Sequence, residues 1–388
     1  RRHGFSTRGG VPWRQPCAAR RVPCGHLTPA SRPVNRAALL LAPLFALVAR
    51  AAAATPAYDF APVRQQIATL VQDKHLDGAA LIVLQGGAVI DEDYFGTYSA
   101  ATRIPIASAS KWLSAIAIER LVERGQMHWS DSVGQYFPDA PAPTQGITLG
   151  QLFSHTAGMQ TDDAACLSNR LVSLDSCARD ILALPLLYAP GSAFAYGGNS
   201  MQVAGRMAEI ASGKSWDQLF QDEVTGPLSM PGTDYAAGID NPPPYVHVNN
   251  PRIAGGVRSV LHDYAHVVQM IAQRGQWNGS SYLDPAGVAA MQQDQTHGAP
   301  VLSTPDPLAQ GYGYGEWRNL VAADGTAIQV SSTGAFGTSP WVDNQTGVAA
   351  VFLVQGQYSQ LKDDVRQLWA NVRQVVLAQD ALFGSGFE

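Results

Sequence analysis

Residues 104–124 read Ile-Pro-Ile-Ala-Ser-Ala-Ser-Lys-Trp-Leu-Ser-Ala-Ile-Ala-Ile-Glu-Arg-Leu-Val-Glu-Arg. From Lys111 to Arg124, Leu113, Ile116, Ala117 and Leu121 recur at helical spacing, and Gly125 stops the run. Ser108 and Lys111 therefore stand three residues apart at the start of a helix, on one face. A serine alcohol is a weak nucleophile until a neighbouring base takes its proton. A lysine removed from water has a lowered pKa and can be that base. The helix N-terminus adds free N–H groups where oxyanion charge would develop. The same S-x-x-K pattern recurs at Ser359–Lys362. Most of the chain follows Ser108, leaving room for partner motifs. Ser359 instead follows the last strand-like run and reads as a helix N-cap.

Outward from this stretch, strand-like runs lie towards both ends and helices between them. Ala61–Asp73 carries Val63, Ile67, Leu70 and Val71 at helical spacing. Ala79–Leu84 and Ala88–Tyr94, separated around Gly86-Gly87, read as a hairpin. The turn-rich middle holds helical patterns at Ser200–Ala211, Asp217–Glu223 and Ser259–Arg274. Strand character returns at Ala327–Ser332, Gly337–Val342 and Val348–Val354, before a helix over Gln360–Leu382. The pattern predicts one α/β sheet domain over 55–388, closed by both ends of the mature chain, flanked by its first and last helices. A mostly helical part, about 125–300, is inserted within it.

The chain has 388 residues, enough for one large domain or two intimate ones with a sizeable core. Net charge is −5, and no basic stripe follows residue 60. Nucleic-acid binding, which needs clustered Lys and Arg to neutralise phosphates, is not expected. Residues 1–54 read as a leader. Arg-rich sequence precedes the apolar run Ala37–Ala49, then Arg50 and four alanines, in the manner of a secretory signal peptide. Residues 1–33 do not resemble the basic flank of such a signal, and Val34 reads as an alternative start. The apolar run is short for a bilayer span. An exported protein, periplasmic or secreted, with no membrane span left after signal removal is expected. Cys17 and Cys24 fall in the leader. Cys166 and Cys177 remain in an oxidising compartment and read as a local disulfide, with two free thiols the alternative.

Two further stretches supply partners for Ser108. Ser332-Thr333-Gly334-Ala335 lies on a strand-like run, and Thr333-Gly334 matches the end of the K-T-G motif that accompanies S-x-x-K. Ser332, Thr333 and Gly334 are candidate substrate-binding residues. The backbone N–H groups of Ser108 and Ala335 are the candidate oxyanion donors. Phe194-Ala195-Tyr196-Gly197-Gly198-Asn199 offers Tyr196 as a general base or proton shuttle, with Gly198 and Asn199 beside it as candidate substrate contacts.

With these residues in view, the chain resembles the β-lactamase-related serine hydrolases. These comprise class C β-lactamases, family VIII carboxylesterases, D-alanyl-D-alanine carboxypeptidases and nylon-oligomer hydrolases. The likeness runs from about Phe60 to Leu377 and includes ITLGQLFSHTAGM at 147–159, PLSMPGTDY at 227–235, AGGVRSVLHDYAHVVQ at 254–269 and GYGYGEW at 311–317. It implies a β-lactamase/penicillin-binding-protein-like fold with an antiparallel sheet. It also implies an acyl-serine mechanism with Ser108 as nucleophile, Lys111 as its partner and Tyr196 as the tyrosine of the family's Y-x-N. Two positions depart: Gly198 stands where that motif has Asn, and Ser332 where Lys or His is common. Without charge at 332 or an amide at 198, short neutral esters are expected over β-lactams, unless Arg258, Arg318 or Asn199 restores the contact. β-Lactamase or D-alanyl-D-alanine carboxypeptidase activity and a non-catalytic penicillin-binding-like protein are the alternatives. The partner is a small ester, amide or peptide.

No cofactor or metal is called for. Gly213-Lys214-Ser215 lacks the first glycine of a P-loop, since Ala208 holds that place. His262 and His266 are four apart on a helix without a third ligand. G-x-S-x-G, the nucleophile motif of α/β-hydrolases, does not occur. His155 reads as a structural hydrogen-bonding residue.

Overall fold

The computed structural model describes residues 58–162, 164–238 and 247–384. The leader, including Cys17, Cys24 and the signal-like run, lies outside the described residues. Six strands form one antiparallel sheet: β1 Gly78–Gln85, β2 Ala88–Gly96, β3 Trp317–Val321, β4 Ala327–Ser331, β5 Gly337–Asp343 and β6 Val348–Gln355. Their order is β2-β1-β6-β5-β4-β3, so the N-terminal hairpin pairs with the last strand at the centre. β3 carries no strong alternation and was not legible as a strand.

The two central strands are apolar on both faces because helices cover both. Successive side chains of a strand point to opposite faces. Ala79, Leu81 and Val83 of β1, with Ala350, Phe352 and Val354 of β6, pack against the first and last helices. These are α1, Ala61–Asp73, through Val63, Ile67 and Leu70, and α6, Tyr358–Gly384, through Leu361, Val365 and Val372. Ala80, Ile82 and Leu84, with Ala349, Val351 and Leu353, face the second core, which holds Leu113 and Ile116 of α2, Ser110–Glu123, and Val267 and Ile271 of α5, Leu261–Ala272. Each large aliphatic side chain so buried contributes about 1.5–3 kcal/mol.

The sequence predicted one apolar side for α2. Every residue from Ser110 to Glu119 is instead buried, Lys111 included. α2 meets helices from the middle of the chain, among them α4, Asn199–Ser212, which packs in turn on α3, Leu174–Leu182, and it meets the Gly315 backbone just before β3. The predicted helix at Asp217–Glu223 is a short helix, Trp216–Phe220, running into a wider π turn, Gln221–Thr225. Ser359 lies inside the first turn of α6 instead of capping it. No helix among the described residues is long and apolar enough to cross a membrane.

Cys166, in a 3-10 turn, and Cys177, in α3, stand at bonding distance, with S–S 2.12 Å and Cα–Cα 5.3 Å. Both are buried. Closing a loop of this size stabilises by about 3 kcal/mol, chiefly by restricting the unfolded chain. Denaturant melts of the oxidised protein and of Cys177→Ser are expected to differ by roughly that amount; coincident melts would show that the crosslink is not formed.

Candidate active site

Ser108 sits on a strained turn. Ala107, immediately before it, has φ 47°, the left-handed region that non-glycine residues avoid. Surrounding hydrogen bonds hold this conformation. Ile106 N–H donates to the Val257 carbonyl at 3.0 Å. The Ser110 hydroxyl donates to the Ala107 carbonyl at 2.6 Å and accepts from Val257 N–H at 3.1 Å. The Tyr264 hydroxyl donates to the Ala109 carbonyl at 2.7 Å. The turn therefore belongs as much to the 253–264 segment as to α2.

Lys111 Nζ lies 3.0 Å from Ser108 Oγ and 3.0 Å from the Ala254 carbonyl oxygen. The residue is 3% exposed. Burial lowers its pKa to about 7, with Asp162 pulling it up and Arg252 pushing it down. An amine poised near neutrality is a competent proton acceptor. The Tyr196 ring lies 4.6 Å from Lys111 Nζ, and Tyr196 lines the same cavity as Ser108. Burial raises the tyrosine pKa above its ordinary value, so the group is a neutral phenol, suited to relaying a proton and not to acting as a phenolate base.

The 332–336 segment closes the site. Gly334 approaches the Ile106 carbonyl so closely that a Cβ there would collide with it. This brings Thr333, Ala335 and Phe336 to the wall of a cavity of about 450 Å³ that also contains Ser108, Lys111 and Tyr196. Among the described residues, no group accepts from the N–H of Ser108 or of Ala335. Both residues line the cavity.

Besides Gly334, which packs against the Ile106 carbonyl, three expected contacts fall outside the cavity lining. The Ser332 hydroxyl donates to the Gly315 carbonyl at 3.0 Å and the Ser108 carbonyl at 3.3 Å, so it ties the strand to the nucleophile turn and does not line the cavity. Gly198 packs against Asp162, whose carboxylate a Cβ would meet. Asn199 is fully buried at the start of α4. The predicted alternative sources of charge are also occupied: Arg258 is bidentate on Asp234, and buried Arg318 donates to the Gln292 carbonyl at 3.0 Å.

The structure instead places Asp162, Arg252, Trp317 and Tyr358 in the lining. Arg252 directly precedes the Ile253–Gly256 turn, and Asp162 follows the SHTAGM stretch. Adjacency to those stretches was their one sequence signal. His155, expected to hydrogen-bond, has neither ring nitrogen paired. Its ring packs 4.5 Å from that of Tyr196 and 4.9 Å from that of Tyr312, and burial holds its pKa well below the ordinary value. Among the described residues, no three His, Cys, Asp or Glu converge as a metal site. His262 contacts Glu92 and Tyr94, while His266 contacts the Leu228 carbonyl. A larger cavity, about 630 Å³, lies under α6 beside Trp341 and Trp369, but neither Ser108 nor Lys111 lines it.

A model of the Beta-lactamase family matches residues 63–374. Among curated proteins, the chain is 27% identical over 222 residues to D-alanyl-D-alanine-carboxypeptidase/endopeptidase AmpH of Escherichia coli (strain K12), covering 51% of this chain and 58% of that one. It is 26% identical over 190 residues to Protein flp of Staphylococcus aureus (strain MW2), covering 44% and 38%. The chain thus spans 38% to 58% of the length of these two relatives. The structure superposes on a β-lactamase-like protein from Bacteroides dorei DSM 17855 with TM-score 0.73 and 33% identity, covering 82% of this chain and 99% of that one.

The chain's few lysines make Lys111 accessible to lysine-selective NMR, assigned with Lys111→Arg. Its side-chain resonance is expected to titrate near pH 7, and nearer acid in Asp162→Asn, which removes a carboxylate favouring the charged amine. A midpoint at the ordinary lysine value would show that burial does not hold the amine neutral.

Proposed function

The chain belongs to the Beta-lactamase family, whose members are hydrolases, and we propose that it cleaves small carboxylic esters through an acyl-Ser108 intermediate. The observation that carries this reading is the 3.0 Å contact between Ser108 Oγ and a buried Lys111 amine, inside a cavity that also holds the Tyr196 phenol.

Lys111, neutral above about pH 7, takes the Ser108 proton as Oγ attacks the ester carbonyl. The N–H groups of Ser108 and Ala335 hold the oxyanion of the tetrahedral intermediate, and donors of this kind are worth about 2.7–4 kcal/mol each in an acyl-transfer site. Collapse breaks the C–O bond to the leaving alcohol. That alcohol recovers the proton from Lys111 through the Tyr196 hydroxyl. Water then attacks the acyl-serine, loses its proton along the same route and returns Ser108. Esters are favoured over lactams because the strand wall offers Thr333, whose hydroxyl pairs with Ser339 at 2.8 Å, and no cation, and charge-assisted hydrogen bonds are about twice as strong as neutral ones. The intact Ser108–Lys111 contact argues against a binder without activity.

A fluorophosphonate probe is expected to label the peptide containing Ser108, and Ser108→Ala to lose both labelling and hydrolysis of p-nitrophenyl butyrate. An adduct on Ser359, or retained hydrolysis, would sink the assignment. The acid limb of kcat/KM is expected near pH 7, rising with pH as Lys111 loses its proton. A higher kcat/KM for nitrocefin than for any short ester would overturn the ester preference.

A further inference from the structure

We propose that Arg252 is a specificity-determining residue that selects substrates carrying a carboxylate; this rests on the acyl-Ser108 reading and names its substrate class. Arg252 and Lys111 are the basic side chains lining the cavity among the described residues, and burial favours the neutral form of Lys111. Arg252 is therefore the permanent positive charge of the site.

The other arginines nearby are committed to hydrogen bonds. Arg258 makes bonds of 2.7 and 2.9 Å to Asp234, Arg170 holds the carbonyls of Ala237 and Gly238, and Arg366 holds Asp306. Arg252 has a looser partner. Its Nη2 is 3.7 Å from Asp162 Oδ1, beyond hydrogen-bonding distance, and the two side chains are 47% and 51% exposed. Exposed pairs of this kind are weak. A substrate carboxylate making two parallel N–H···O bonds to the guanidinium competes well with such a partner.

Position adds a second argument. Arg252, Gly255 and Phe336 line both the nucleophile's cavity and an adjoining one of about 310 Å³. Arg252 thus stands at the junction, and a substrate extending past the scissile bond towards the second cavity brings its far end to the guanidinium. The backbone supports this placement, since the Ala254 carbonyl, two residues on, is the one that accepts from Lys111 Nζ. The charge absent at position 332 is thereby supplied from a different wall, to a carboxylate held away from the strand.

The test compares matched esters on the full-length protein at pH 9, where Lys111 is neutral and the influence of Arg252 and Asp162 on its charge no longer enters. One pair varies the acyl side: mono-p-nitrophenyl glutarate against its methyl ester. The other varies the leaving group: 3-acetoxybenzoate against methyl 3-acetoxybenzoate. In at least one pair the carboxylate is expected to raise kcat/KM about tenfold over the methyl ester, Arg252→Gln to abolish that ratio, Arg252→Lys to recover part of it, and Asp162→Asn to increase it. Ratios near one in wild type, or an Arg252→Gln variant that preserves them, would overturn the proposal. Ser108→Ala separates the two readings: if it abolishes every activity while the ratios stay at one, the hydrolase stands and the Arg252 assignment falls.

Discussion

The structure depends on holding one amine out of water. Lys111 belongs to a helix whose first ten residues are all buried, and its Nζ meets Ser108 Oγ and a backbone carbonyl. An ammonium loses much of its hydration there, so the neutral form becomes accessible near pH 7. Everything packed around α2 contributes to this, from the helices of the middle of the chain to the Gly315 backbone before β3. The same burial keeps the Tyr196 phenol protonated and His155 neutral. Three titratable groups thus lie together with little net charge among them, which is what makes their proximity tolerable in a medium of low polarity.

Close backbone approach sets the geometry of the opposite wall. Gly334 lies against the Ile106 carbonyl, and Gly315, at φ 79°, against the Lys111 carbonyl. A side chain at either position would push the sheet edge away from the nucleophile turn. The Ser332 hydroxyl spans the same gap by bonding the Gly315 and Ser108 carbonyls. The strain at Ala107 is sustained because the turn is held from both sides, by the 253–264 segment and by the strand end. Removing one support leaves the left-handed residue free to relax, and the Ser108 hydroxyl would move with it.

The departures from expectation share a cause. Ser332 and Asn199 are polar residues in motifs that suggested substrate contact, yet each side chain is turned into the protein. Just beyond the end of β4, Thr333 lines the cavity while the Ser332 hydroxyl bonds the Gly315 and Ser108 carbonyls. A tripeptide match does not say which of its members faces the ligand. Arg252 and Asp162 were missed because neither belongs to a motif. They reach the cavity only because the loops carrying them fold over the N-terminal end of α2.

From residues alone, the organisation was legible wherever a pattern repeats. The strand-like apolar runs at both ends, the helical run after Lys111 and the Ser108–Lys111 spacing pointed to an α/β sheet built from both ends and to a serine–lysine pair. Local spacing determines that an S-x-x-K pair shares a helix face. Whether the lysine is neutral, which hydroxyl faces the cavity and which arginine enters it depend on burial and on contacts between residues distant in sequence. Desolvation and side-chain facing are properties of the packed environment. Only the tertiary structure separated Thr333 from Ser332, and Arg252 from Arg258 and Arg318.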